Sequence, residues 1–301
     1  MTNRVIEISE GPVRLRIENG LLVVEKKDSE PRSIPLDDLA VLILATAQAS
    51  YTHSVLSEAA KRNVAVVLFD EKSMPLALLA PLAGHSLHPQ TLRLQIAALQ
   101  SRPLVKRLWK GIIAAKVRAQ GAVLQRLDGS DGGVALLARR VRSGDASNVE
   151  AQAARAYWPR LFRLESFRRE PGAPIPPNHL LDYGYAVLRG ILARAVVGAG
   201  LHPALGIHHR HRENACALAD DLMEPFRPLV DETVARMVRS EGPELPLDRE
   251  RKRRLIEPLL GRYTYREEQR TLFDIASMMA AQLVRIFAGD EADLEVPLVF
   301  G

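Results

Sequence analysis

A single cysteine, Cys216, in a chain of 301 residues excludes an internal disulfide framework. Lying in an apolar helical run, it is expected to be a small buried side chain in a reducing compartment and not a nucleophile. Long apolar runs are missing too. Stretches such as Ala40 to Ala45 fall far short of the ~20 residues that a membrane helix needs, so no span is expected. The opening residues, M-T-N-R-V-I-E-I, have neither the apolar centre of a signal peptide nor the Arg and Ser bias of a transit peptide. A cytoplasmic location is therefore expected. Internal repeats and low-complexity segments are also lacking. The surplus of positive charge is small, 41 Lys and Arg against 36 Asp and Glu for a net +5.

What is present begins with apolar content. At 47% hydrophobic residues the chain has ample material for two cores, and its length exceeds the usual single domain. The charge, although small in sum, is unevenly placed. Arg102, Lys106, Arg107, Lys110, Lys116, Arg118, Arg126, Arg139, Arg140 and Arg142 face only Asp128 and Asp131 in the same stretch, a local surplus of eight. By charge alone this tract is either a solvated helix surface or a track for a polyanion, and Arg155, Arg160, Arg163, Arg168 and Arg169 lie where they would extend it.

Short β-rich stretches over 5–10, 13–18 and 21–26 are separated by Gly11-Pro12 and by Asn19-Gly20, the latter a hairpin signal. Leu39 to Ala45 and Val64 to Phe69 read as buried strands, with a helix over 52–62 between them and a returning strand at 76–79. The pattern predicts an α+β chain: a small N-terminal β-rich domain over 1–84 followed by a larger α-helical domain over 85–301. The boundary is placed at Gly84 to Pro89, where strand signals stop. In the second part, helical periodicity covers 90–100, 103–127, 134–142, 180–199 and 230–239, with a basic helix at 249–260 and a last helix over about 269–287. Asn148 is expected to cap the helix carrying Glu150.

Four of the eight histidines, His202, His208, His209 and His211, stand just ahead of Asp220, Asp221 and Glu224. Helical spacing places Asp221 and Glu224 one above the other, so that one ion would touch both, and Pro225 and Pro228 interrupt the helix directly after them. His208, His209 and His211 by themselves are equally readable as a polar loop. Glu150 by itself is an ordinary first-turn acid facing the helix dipole.

The residues G-I-H-H, then N-A-C-A-L-A-D-D-L-M-E-P-F-R-P, and upstream N-V-E-A-Q-A-A-R-A-Y-W around Glu150, resemble the signature of the CRISPR-associated spacer-acquisition integrase, the "Cas one" family, in particular its type II branch. The resemblance implies Glu150, His209 and Glu224 as metal ligands and catalytic residues, with Asp221 assisting at the metal. The resemblance selects His209 over His208, because it lies fifteen residues before Glu224, the interval of the type II branch; His208 and His211 are then neighbours of the site or DNA-facing, and Asp220 a solvated neighbour. Carboxylates with one imidazole suit Mg²⁺ or Mn²⁺ better than Zn²⁺. The implied activity is metal-dependent integration of short DNA fragments, by attack of a 3′-OH on a phosphodiester at the border of a CRISPR repeat. The rivals are a nuclease acting on branched or damaged DNA and a non-catalytic DNA-binding scaffold. Lys106, Arg107, Lys110, Arg139, Arg140, Arg142 and Arg155 become candidates for contact with double-stranded DNA. The resemblance also implies a homodimer formed through the β-rich domain, two dimers bridged by the small partner "Cas two", and the type II effector nuclease as a further partner.

Overall fold

The computed structural model describes residues 4–27, 29–70, 75–79, 88–164, 167–173, 175–297 and 299–300. Residues 1–86 and 87–301 form two compact units, while the expected boundary at Gly84 lies outside the described residues. No helix among the described residues is long and apolar enough to cross a membrane.

The first unit is β-rich. One sheet holds β1 (Arg4–Ile8), β5 (Leu39–Leu44), β7 (Ala65–Phe69) and β8 (Pro75–Leu79) in the order β1-β5-β7-β8. β5 pairs in parallel with β1 and β7 and is buried along its whole length, as a central strand covered on both faces must be. A second sheet, β4-β3-β2-β6, is built from β2 (Val13–Glu18), β3 (Leu21–Lys26), β4 (Arg32–Pro35) and β6 (Ala49–Tyr51). Its β2–β3 hairpin turns on Asn19 and Gly20, with φ of 50° and 76°, the doubly positive pair that matches the twist of the strands. Leu15, Leu22, Leu36 and Leu42 form a core with Val55 and Ala59 of α1 (His53–Lys61).

The second unit is mostly helical, with α3 (Arg102–Asp128), a helix of 27 residues, as its spine. Against it pack α2 (His88–Gln100), α4 (Val134–Leu137), α5 (Val149–Phe162), α7 (Ala217–Met223) and α8 (Arg227–Glu241). α6 (Asn178–Gly198) is apolar on nearly every side and is accordingly buried. α9 (Arg249–Ile256) is shorter than expected because a 3₁₀ turn over Glu257–Leu260 takes its place after Pro258 becomes due.

The last helix also begins later than expected. β9 (Arg262–Tyr265) and β10 (Glu268–Thr271) form a hairpin before α10 (Leu272–Ala288), which starts with a capping box between Thr271 and Asp274. The hairpin is hidden in the sequence because Arg266 and Glu267, not Asn-Gly, take its positive φ values of 52° and 64°. α10 buries Leu272, Ile275, Met279, Leu283 and Ile286, each contributing about 1.5–3 kcal/mol of apolar burial.

Candidate active site

Three elements meet at the middle of α3. α5 opens with Glu150 in its first turn, where the helix dipole favours a carboxylate. The cap is not Asn148, whose own backbone is left-handed and whose side chain makes no cap bond. Asp145 accepts instead from the backbone N–H groups of Val149 at 2.8 Å and Glu150 at 3.0 Å. On the opposite side, α7 ends at Met223, and a single 3₁₀ turn, Glu224–Phe226, carries Glu224 before Pro228 lets α8 restart. The break expected at the two prolines is where the sequence placed it.

Between the two glutamates stands Lys116. Its Nζ lies 2.7 Å from Glu150 Oε1 and 2.5 Å from Glu224 Oε2. The expectation that Lys116 belongs to a solvent-facing basic tract is thus overturned: its side chain is only 14% exposed. Glu224 is 4% exposed, and Arg227 Nε donates to its other oxygen at 2.8 Å. Burial alone would raise the Glu224 carboxyl, but the Arg227 and Lys116 cations outweigh it and hold it at about 2. Burial likewise opposes the charge of Lys116, and Glu224 and Glu150 more than compensate, leaving its ammonium raised. Glu224 Oε2 is buried, and its partner there is the Lys116 ammonium.

Asp221 departs from the arrangement expected of a ligand stacked with Glu224. It is fully buried, and both oxygens are already engaged by the loop carrying the histidines. Oδ2 accepts from the backbone N–H of Ile207 at 2.5 Å and His208 at 2.9 Å, while Oδ1 accepts from His209 N at 3.1 Å and sits 2.6 Å from His209 Nδ1. A ring that donates from Nδ1 keeps Nε2 as its acceptor, so Asp221 orients the imidazole. The hydrogen bond to Asp221 raises His209 above its ordinary value against the opposing effect of burial, and the charges of Asp221, Glu224 and Asp220 add to it.

Gly206 makes this closure sterically feasible, because a Cβ there would run into the His209 carbonyl oxygen and stand 2.9 Å from Asp221 Oδ2. Gly206→Ala is therefore expected to displace the His209 loop and to destabilise the fold by about 1–3 kcal/mol, the usual cost of overpacking a buried position. Denaturant unfolding of the purified variant measures it.

Trp109, which the sequence reading passed over, completes the setting. Buried on α3, it stacks on His208 at 4.0 Å between ring centroids and meets His209 edge-on at 5.8 Å. Asp220 is not the solvated neighbour expected. It is buried and held by Arg189 Nε at 2.6 Å and by Asn214 Nδ2 at 2.8 Å, because α7 is enclosed on all sides. His208 and His211 are exposed. Cys216, expected inside the helix, precedes it at the cap position and is half-buried, with its thiol pushed up by burial. Beyond Glu224, Arg227 lies 4.5 Å over the Tyr185 ring, and the Tyr185 and Tyr157 hydroxyls donate to buried Asp231, which burial lifts to about 6.

Among the described residues no three His, Cys, Asp or Glu side chains converge closely enough to hold an ion as they stand. The donor chemistry nonetheless fits one. Two carboxylates already share a cation, one buried carboxylate oxygen lacks an aligned hydrogen bond, and the His209 imidazole is oriented through Nδ1.

The remaining basic residues divide. Lys106, Arg107, Lys110, Arg139, Arg140, Arg142 and Arg155 are exposed. Arg107 and Lys110 line a groove of about 410 Å³ with Arg118, where Asp293 pairs with Arg107 at 3.3 Å. Arg163 and Arg169 do not simply extend that track, since they are paired with Asp128 and Asp182.

The family model described as CRISPR associated protein Cas1 matches residues 6–244. The CRISPR-associated endonuclease Cas1 of Neisseria meningitidis is 36% identical over 239 residues, covering 79% of this chain and 76% of that protein. Two solved structures share the fold. A casposase bound to integration product gives a TM-score of 0.77 at 21% identity, covering 97% of this chain and 93% of the other. A chain of a Cas6-RT-Cas1–Cas2 complex gives 0.76 at 18% identity, covering 99% of this chain and 36% of the other. A match over residues 6–244 together with a relative at 36% identity places the chain in the CRISPR associated protein Cas1 family.

Proposed function

We propose that the protein is a metal-dependent DNA integrase and endonuclease of CRISPR adaptation, of the type II branch, that joins short DNA fragments to a CRISPR array. The observation that carries the reading is the pairing of Glu150 and Glu224 around one cation position, with His209 held by Asp221 on the adjoining loop. Glu150, Glu224 and His209 Nε2 would hold Mg²⁺ or Mn²⁺. Such an ion, when bound, neutralises charge growing on a phosphodiester and orients an attacking hydroxyl.

The chain's own part is positioning. Arg227 fixes Glu224, Asp145 fixes the start of α5, and Asp221 and Trp109 fix the His209 ring. In integration a DNA 3′-OH attacks the phosphodiester and a 3′-oxygen leaves, so no external energy source is required. Water in place of that hydroxyl turns the same site into an endonuclease, the activity in the name of the Neisseria relative.

The test is strand transfer from a labelled fragment into a repeat-bearing plasmid. It is expected with Mg²⁺ or Mn²⁺ and lost on chelation. Full activity in excess EDTA would overturn the metal assignment, and cleavage without joined product would favour the nuclease reading.

DNA is expected to lie along the exposed basic residues Lys106, Arg107, Lys110, Arg139, Arg140, Arg142 and Arg155. Reversing Lys106, Arg107 and Lys110 together to Glu is expected to weaken DNA binding and to reduce the slope of log K against log salt by about 2–3, leaving Mn²⁺ affinity unchanged. Binding isotherms at several salt concentrations check both. A homodimer through the β-rich unit has support in the exposed apolar side chains of Tyr51 and Leu76, 42% and 69% accessible. Bridging of two dimers by a Cas2 partner draws on the complex named above. The type II effector nuclease is the further partner proposed with it.

A further inference from the structure

A lysine inside a protein is costly unless its charge is matched, and Lys116 is matched by the two carboxylates assigned above to a metal. Its neighbours Ala115 and Val117 are fully buried, so α3 turns this side chain inward by its packing. The local charges balance: Lys116 and Arg227 against Glu150 and Glu224. Arg227 occupies Glu224 Oε1 with an aligned hydrogen bond, whereas Lys116 holds Oε2 as an ion pair shared with Glu150. The rigid partner is thus bonded to Glu224, while the flexible one donates its hydrogen bond to Glu150 at 2.7 Å. A lysine ammonium on four rotatable carbons leaves a carboxylate more readily than a guanidinium locked by a planar bond.

We propose that Lys116 is the site's built-in counter-cation. Its ammonium keeps Glu150 and Glu224 poised across the site and competes with a divalent ion for the same carboxylate oxygens. Metal entry then exchanges one cation for another, and the affinity for Mn²⁺ or Mg²⁺ is set below what the bare carboxylates would give. Lys116 is on this account a positioning residue, distinct from the exposed basic residues that face DNA. The inference rests on the reading of Glu150 and Glu224 as metal ligands.

The competition has a sign that a merely structural lysine does not share. Lys116→Met keeps the length and removes the charge. In the full chain it is expected to bind Mn²⁺ about tenfold or more tightly by calorimetry, the change that follows from losing one moderate ion-pair competitor. It is also expected to melt at lower temperature in chelator and to gain more from added Mn²⁺ than the wild type does. Lys116→Arg, which keeps the charge, should stay close to the wild-type affinity.

A measurement on the unaltered protein guards against a variant that fails to fold. Acetylation of Lys116, followed by mass spectrometry, is expected to rise when Mn²⁺ is added, because the ammonium is released. Unchanged or weaker Mn²⁺ binding by Lys116→Met, or acetylation that does not rise, would overturn the proposal. Glu150→Gln separates the two levels. If it leaves Mn²⁺ binding intact, the ligand assignment itself is wrong; if it abolishes binding while Lys116→Met has no effect, only the role of Lys116 falls.

Discussion

His209→Ala is expected to lose strand transfer and cleavage by on the order of a thousandfold or more, the scale of several kcal/mol of transition-state charge stabilisation. DNA affinity should persist, since the proposed DNA contacts are the exposed basic residues and not the ring. The structure sharpens the comparison with the neighbouring histidines. His209 is the histidine whose Nδ1 lies 2.6 Å from a buried carboxylate, while exposed His208 stacks on Trp109. His208→Ala is therefore expected to cost ~10–100-fold by loosening the ring that meets His209, and His211→Ala less. The three single variants, assayed for strand transfer at one metal and salt concentration, decide the matter. A dead His208→Ala beside an active His209→Ala would move the ligand by one residue.

Asp221→Asn is the second change with a large effect. The buried carboxylate accepts from three backbone N–H groups and faces the imidazole, all on the loop between Gly206 and α7. An asparagine of the same shape keeps one acceptor and turns an NH₂ group toward donors. The expected result is a stability loss of about 1–3 kcal/mol for groups left unsatisfied, together with a ~10–100-fold fall in Mn²⁺ affinity as His209 loses its orientation. Denaturant unfolding measures the first and Mn²⁺ titration the second. An unchanged affinity would show that Asp221 serves only the fold. Asp221→Glu is a poor rescue, because the added methylene would overpack a position that is fully buried.

Much of the architecture was legible because its signals are local. The Asn19-Gly20 hairpin, the wholly apolar β5 and the switch to helical periodicity by α2 each depend on neighbours within a few residues. Where local signals were weak or shared, the reading failed. Asn148 and Asp145 are both good capping residues, and only the folded turn brings the Asp145 carboxylate, and not the Asn148 side chain, onto the N–H groups of Val149 and Glu150. Arg266 and Glu267 carry none of the turn chemistry that would have announced the β9–β10 hairpin.

The candidate site divides in the same way. The sequence by itself determined which residues were worth considering: Glu150 opening a helix, a histidine cluster, and Asp221 and Glu224 ahead of two prolines. Pro225 and Pro228 also sufficed to expect a helix break beside Glu224.

Only the tertiary structure decided what those residues do to one another. Asp221 and Glu224 share a helical face, yet one closes a loop and the other faces Lys116, because α7 is buried on every side and its two ends meet different partners. Lys116, read with its basic neighbours, looked like surface. It turns inward because its partners lie at positions 150 and 224, and periodicity along α3 does not report which flank of a nearly surrounded helix will meet a carboxylate. Burying a charge is decided by whether an opposite charge arrives from elsewhere in the chain, and that is a property of the packed molecule.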